Sequence, residues 1–342
     1  MIGTELVKGQ GLGNQLFCYI TARCIAKKQG VDFAVLGSEL LPGNGKEPGL
    51  YFMNMDFGVS VGKEDFSCVY HEKEQRLFTG NSRHDCKNGC YVAGVDEDLL
   101  CAADGTLMYG NMQAEEYFSA YKQEIREWLK VRPEFDSYEF HRENLCVINL
   151  RGGEYTDSPE LYLNKKYWKD AIRYMKKIRP DMEFMIVTDD VHAAERILPG
   201  IPAYHFTLDK DYTTIKNASY VILSNSSFAF FPVYTSDTVK ALIAPKYWAR
   251  HNVSNGYWAS EQNIYDGWNY MDRHGKVFTA QECRQELEEY KKNSKEYARL
   301  NQAPGELTAR FWKIKSRFLY EKYHFVRLWR GLMRKIRIAC GR

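Results

Sequence analysis

The sequence predicts an α/β fold built on parallel sheets, and three features of its second half carry the prediction. Short apolar runs, LCVINL (145–150), FMIV (184–187) and YVIL (220–223), have the length of buried strands. Helical patterns lie between them, KKYWKDAIRYMKKI (165–178) and VHAAERIL (191–198), and strands alternating with helices need crossover connections and hence pair in parallel. Each run is followed at once by a polar cluster: RGGEY (151–155), TDD (188–190) and SNSSF (224–228). Ligands of open parallel sheets bind outside the carboxyl ends of the strands, so the three clusters are expected to converge on one crevice. For any single cluster, helix capping by Asp, Ser and Gly is the plainer account.

The first half opens with GQGLGNQLFCYITARCIAKK (9–28), in which Leu16, Phe17, Ile20, Cys24 and Ile25 recur at helical spacing. VDFAVLG (31–37) reads as the strand after that helix. Residues 40–110, rich in Gly and Asn, give no assignable pattern, and a helix is expected over Ala114–Val131, ended by Pro133.

With 342 residues the chain can form two domains with buried cores. Its 24 Tyr and 7 Trp suit stacking ligands such as carbohydrate and equally suit cores and interfaces. Nine cysteines without regular spacing suit free thiols in a reducing compartment. His84, Cys86 and Cys90 crowd together but lack a second ligand pair for zinc. With no apolar run near membrane-spanning length and no signal-peptide pattern, a cytoplasmic protein is expected. The net charge of +3 is unevenly spread: Leu307–Arg342 holds eleven Lys/Arg against Glu321 alone, a local +10 that leaves −7 elsewhere. A basic footprint confined to a tail disfavours nucleic acid as the partner.

The clusters carry recognisable chemistry. Arg151, followed by Gly152 and Gly153, can aim its guanidinium at a phosphate while the glycines allow close backbone approach. The serines 224, 226 and 227 offer hydroxyls and helix-start N–H groups to an anion. Asp189 and Asp190 repel phosphate; they could accept hydrogen bonds from a base or sugar, hold a metal, or cap the next helix. A nucleotide diphosphate gripped by Arg151 and the serines, with an acid at its other end, fits all three. GQGLGNQ matches neither a P-loop nor the dinucleotide fingerprint, and is left as a turn presenting N–H groups and the Asn14 amide.

These residues resemble the α1,2-fucosyltransferases of glycosyltransferase family eleven. GQGLGNQLF resembles the family's Gly-Gly-Leu-Gly-Asn-Gln-Met/Leu-Phe signature, with Gln10 for the first glycine, and YGNMQAEEYF (109–118) resembles its Gly-Tyr-Phe-Gln-x-x-x-Tyr-Phe block. VINLRGGEY is similar to the superfamily motif Val-His-x-Arg-Arg-Gly-Asp-Tyr, IVTDD to its Ser/Thr-Asp-Asp segment, and SNSSFAFFP to Asn-Ser-Ser-Phe-Ser-Trp-Trp. Five blocks in order span residues 9–232.

The resemblance implies a GT-B architecture of two Rossmann-like domains with parallel sheets facing a cleft. Residues 1–140 would form the acceptor side, 141–300 the GDP-sugar side, and 301–342 a basic amphipathic tail. It implies inverting, metal-independent transfer of L-fucose from GDP-fucose to a galactose-containing glycan in α1,2 linkage, with another GDP-sugar or a non-catalytic nucleotide- or glycan-binding relative as alternatives. Arg151 would contact the donor diphosphate and Asp189 or Asp190 the guanine. Asn149 stands for the motif's histidine, Ser226, Ser227 and Phe228 would line the donor pocket, and Asn14 would lie near the sugar. Gly152 replaces the motif's second arginine, and Phe230 and Phe231 replace two tryptophans. Glu154 is the leading candidate for the catalytic base, with a supporting role beside Arg151 as the other choice. In the tail, Phe311, Ile314, Phe318, Phe325, Leu328, Trp329, Leu332 and Ile336 recur near helical spacing among basic residues, as in a helix lying on an anionic membrane that carries a lipid-linked acceptor, or one packed on the protein.

Overall fold

The computed structural model describes residues 1–41, 51–92 and 94–339, without the side chains of Arg83, His84, Lys87, Gln262, Arg327, Arg330 and residues 333–339. His84 of the Cys86/Cys90 group and Ile336 of the tail stripe therefore lie outside the described side chains.

The first half comprises β1 (Ile2–Glu5), α1 (Leu12–Gln29), β2 (Phe33–Leu36), β3 (Cys68–His71), β4 (Arg76–Leu77), α2 (Arg83–Asn88), β5 (Cys90–Tyr91), α3 (Glu97–Leu100), β6 (Thr106–Tyr109) and α4 (Lys122–Trp128). Strands order as β2-β1-β6-β3, parallel throughout, while β4 and β5 form a separate antiparallel pair. The second half comprises β7 (Leu145–Leu150), α5 (Lys165–Ile178), β8 (Glu183–Thr188), α6 (Val191–Ile197), β9 (Ala203–Tyr204), α7 (Leu208–Lys216), β10 (Tyr220–Ile222), α8 (Phe230–Tyr234), β11 (Ala241–Pro245), β12 (Asn269–Met271), β13 (Val277–Thr279), α9 (Ala280–Asn293) and α10 (Glu306–Ala339). Its sheet runs β13-β12-β11-β10-β7-β8-β9, parallel except where β13 turns back on β12.

This is the expected two-sheet α/β architecture with a C-terminal helix. β7 is flanked by β10 and β8, so the three polar clusters leave adjacent strands. The order reverses between β7 and β10, which puts the topological switch point at the same spot.

The two halves share one apolar core. Phe17 of α1 stacks on Phe230 at 4.8 Å between centroids, meets Phe231 at 4.8 Å and Phe118 at 5.9 Å. Three motif blocks thus meet ring on ring. α1 is buried around most of its circumference, from Leu12 and Gly13 through Ala26, which is why its apolar stripe is weakly marked in the sequence.

One expected helix is not continuous. Ala114–Val131 forms two 3₁₀ turns, Glu115–Tyr117 and Ser119–Tyr121, before the short α4. Tyr117 and Phe118 are both buried, Tyr117 donating to Glu72 and Phe118 packing on Phe17. Consecutive side chains cannot both be satisfied this way on one regular helix face, and the backbone breaks at Phe118 with φ −140°.

Candidate functional site

Asn149, Arg151, Asp189, Ser226 and Phe228 line one pocket together with Thr188, His205 and Asp211, enclosing about 120 Å³. The strand ends assemble it. Asn149, the penultimate residue of β7, is buried and its side-chain oxygen accepts from the Ser224 hydroxyl at 2.8 Å, fastening β7 to the segment after β10. Arg151 leaves β7 directly. Its Nη1 pairs with Asp189 Oδ2 at 3.0 Å and its Nη2 donates to Glu154 Oε1 at 2.9 Å, with the guanidinium over the Tyr155 ring. Burial works against the cation, but the two carboxylates outweigh it and hold Arg151 above its ordinary pKa.

The aspartates divide their work. Asp189 accepts from the Gly152 N–H at 2.7 Å through its other oxygen, so it fixes both the loop and the guanidinium. Asp190 caps α6, its side chain accepting from the Ala193 N–H at 2.8 Å. The Gly152 position explains the missing second arginine. A Cβ there would lie 2.6 Å from the Asp190 Cβ and 3.2 Å from the Ala193 Cβ, and one at Gly153 (φ +41°) would lie 2.6 Å from Asp189 Oδ2. No side chain fits at 152 while Asp190 caps α6.

Glu154 is exposed and stands beside Arg151. Ser226 caps the following 3₁₀ turn, accepting from the Phe228 N–H at 3.4 Å, and Phe228 meets Tyr212 edge to face. Ser227 does not line the pocket; its backbone abuts α1, where a Cβ on Gly13 would come within 2.3 Å of the Ser227 carbonyl. Gly13 thus serves packing between the halves.

Asn14, the next residue, accepts from Gln113 Nε2 at 3.1 Å, joining the first two motif blocks. Gln113 follows a loop organised by Glu72, just beyond β3, whose Oε2 accepts from the N–H groups of Asn111 and Met112 at 2.8 and 2.9 Å and whose Oε1 accepts from the Tyr117 hydroxyl. Met112 is held there at φ +48°, a strained conformation for a side chain of its size.

The sequence reading missed His205 and Asp211. They lie in HFTLDKD, beyond the two-residue strand β9, which is too short to announce itself as an apolar run. Asp211 is buried and accepts from the Phe206 N–H at 3.0 Å and faces His205 Nδ1 at 3.1 Å. Burial raises its pKa against the opposing pull of those partners.

No family model matches the chain. An α1,2-colitosyltransferase of Escherichia coli is 25% identical over 167 residues, covering 43% of this chain and 58% of that protein, so the match spans little more than half its length. The O-antigen biosynthesis glycosyltransferase WbnK of Escherichia coli is 20% identical over 282 residues, 71% of this chain and 93% of that one. Among solved structures, the NodZ α1,6-fucosyltransferase soaked with GDP-fucose aligns over 71% of this chain and 94% of its own, at 15% identity and a TM-score of 0.41. By its motif blocks and its sequence relatives, the chain resembles the fucosyltransferase-like glycosyltransferases.

Proposed function

We propose that the chain is an inverting glycosyltransferase that moves L-fucose from GDP-fucose to a hydroxyl of a galactose-containing glycan, in α1,2 linkage. The observation that carries this is Arg151, set at the switch point of a parallel sheet and flanked by the Ser226 turn. It is the arrangement a diphosphate leaving group requires. As the anomeric bond breaks, positive charge grows on the sugar and negative charge on the departing phosphate. A preoriented guanidinium aimed at that phosphate contributes on the order of 3 kcal/mol. Such stabilisation needs no metal, so turnover should persist in EDTA.

Within this reading residues 1–140 form the acceptor side and 141–300 the donor side. The base of the nucleotide takes the His205–Asp211 end, against Phe228. Asp189 and Glu154 serve mainly to hold Arg151 in aim, since both already bond it. Asn14, aligned by Gln113, faces the sugar from the other half.

The test is nucleotide release from GDP-fucose, GDP-mannose and UDP-galactose in EDTA, with and without simple galactosides. Galactoside-stimulated release from GDP-fucose is expected. The similarity to a colitosyltransferase favours a second reading, the same chemistry with a different GDP-linked sugar; release from another GDP-sugar alone would select it. GDP binding without release from any donor would instead mark a non-catalytic relative.

A further inference from the structure

Helix α10 runs from Glu306 to Ala339, about 51 Å at 1.5 Å per residue. One face is docked. Trp312 covers Gly80, where a Cβ would lie 2.9 Å from the indole ring, Ser316 is buried, and the Tyr323 hydroxyl donates to the carbonyl of Thr156. That contact lies in the turn that begins at Gly153, beside Arg151. The opposite face carries Phe311, Ile314, Phe318, Phe325, Leu328 and Leu332, each between 56% and 73% exposed. At about 100° per residue these six fall within one stripe of roughly 100°, interrupted only by the exposed Glu321 near its middle.

Cations line both edges of the stripe: Arg310 and Arg317 on one side, Lys315 and Lys322 on the other. The spacing 311, 314, 318, 325, 328, 332 is that of coiled-coil core positions, which makes a second copy the obvious rival occupant. Charge excludes it. A parallel pairing would set Arg310 and Arg317 against Lys315 and Lys322, and either pairing would press Glu321, at the remaining core position, against its own copy. No helix among the described residues is long and apolar enough to cross a membrane. An apolar stripe edged by cations on both sides is the pattern of a helix lying in an anionic interface, its apolar residues below the headgroups and its lysines and arginines among them.

We infer that α10 binds the surface of an anionic lipid bilayer through this stripe, holding the catalytic half of the molecule against the membrane by its opposite face. The inference concerns a surface apart from the Arg151 pocket and stands whatever sugar that pocket takes.

The test is co-sedimentation of the full chain with vesicles of phosphatidylcholine alone and of phosphatidylcholine mixed equally with phosphatidylglycerol, at low and high salt. Binding is expected to the anionic vesicles only, weakening as salt rises. Phe318→Ser with Phe325→Ser should lower the partition coefficient roughly tenfold or more, and so should Lys315→Glu with Lys322→Glu. All four side chains are exposed, so thermal unfolding of both variants should match the parent. Equal binding to neutral and anionic vesicles, no binding to either, or binding that survives both variants would overturn the inference. A concentration-dependent dimer in ultracentrifugation, abolished by the phenylalanine substitutions, would overturn it by assigning the stripe to a second copy.

Discussion

Two glycine-rich turns, Gly9–Gly13 and Gly152–Gly153, have similar composition, yet the molecule uses them differently. Around Gly13 the backbone of α1 meets the Ser227 backbone, and aromatic rings close over the junction. Around Gly152 the backbone meets the start of α6, and what it brings together is charged: Arg151, Asp189 and Glu154. The first turn fastens two sheets; the second aims a cation. In both, what decides is the group a Cβ would strike, backbone in one case and a capping aspartate in the other.

Removing the aimed cation should give the largest effect. Arg151→Ala is expected to lower galactoside-stimulated GDP release by about 10²–10³-fold with an unchanged melting temperature, since the side chain is partly exposed. Activity near that of the parent would break the assignment of this turn to the leaving group.

The fastening turn should respond the other way. Gly13→Ala sets a methyl 2.3 Å from backbone atoms of Ser227, which no rotamer change relieves, and should destabilise the fold by about 1–3 kcal/mol. Denaturant unfolding measures this. A variant as stable as the parent would mean that the halves can part at this contact without loss.

Gly152→Arg sharpens the contrast further, because it restores the residue that the resembling motif carries. The motif alone predicts higher turnover from a second guanidinium. The geometry predicts the reverse: the new Cβ strikes Asp190 and Ala193, the α6 cap yields, and both stability and GDP release fall, the former by about 1–2 kcal/mol. Increased turnover would show that the loop can rearrange.

The same contrast explains what could be read in advance. The β7, β8 and β10 ends were legible because each buried run stops at a polar cluster, and α5 spans the expected residues 165–178 because its apolar positions keep helical period. The first sheet was not: β3 and β6 are four residues each within an irregular stretch, and most of β3 is exposed, so no alternation marks it. Among the candidate residues, Asn149, Arg151, Asp189, Ser226 and Phe228 line one pocket. Asp190 and Ser227 were grouped with them although one caps a helix and the other packs on Gly13, a distinction that residue type does not encode. Asp211, in α7, and His205 carry no such signal because β9, the strand before them, is only two residues long.

The smallest expected effect concerns how each region treats its carboxylates. Asp189 and Glu154 pair with a guanidinium, whereas Glu72, which shapes the loop leading to Gln113 and Asn14, accepts hydrogen bonds from neutral donors. Burial raises the Glu72 pKa above its ordinary 4.5; its three hydrogen bonds oppose the shift and the charge of Asp96 adds to it. The folded protein therefore keeps this proton to higher pH than the unfolded chain does. Its contribution is fully present below the unfolded pKa and is lost as pH rises through the folded one. Glu72→Gln cannot ionise, so its stability relative to the parent should improve steadily as pH rises above 4.5, levelling once Glu72 is charged in both states. Denaturant titrations of the two proteins across that window measure the gap. A gap independent of pH would mean that the loop's hydrogen bonds fully offset the burial of the charge, and the two regions would then differ in geometry alone.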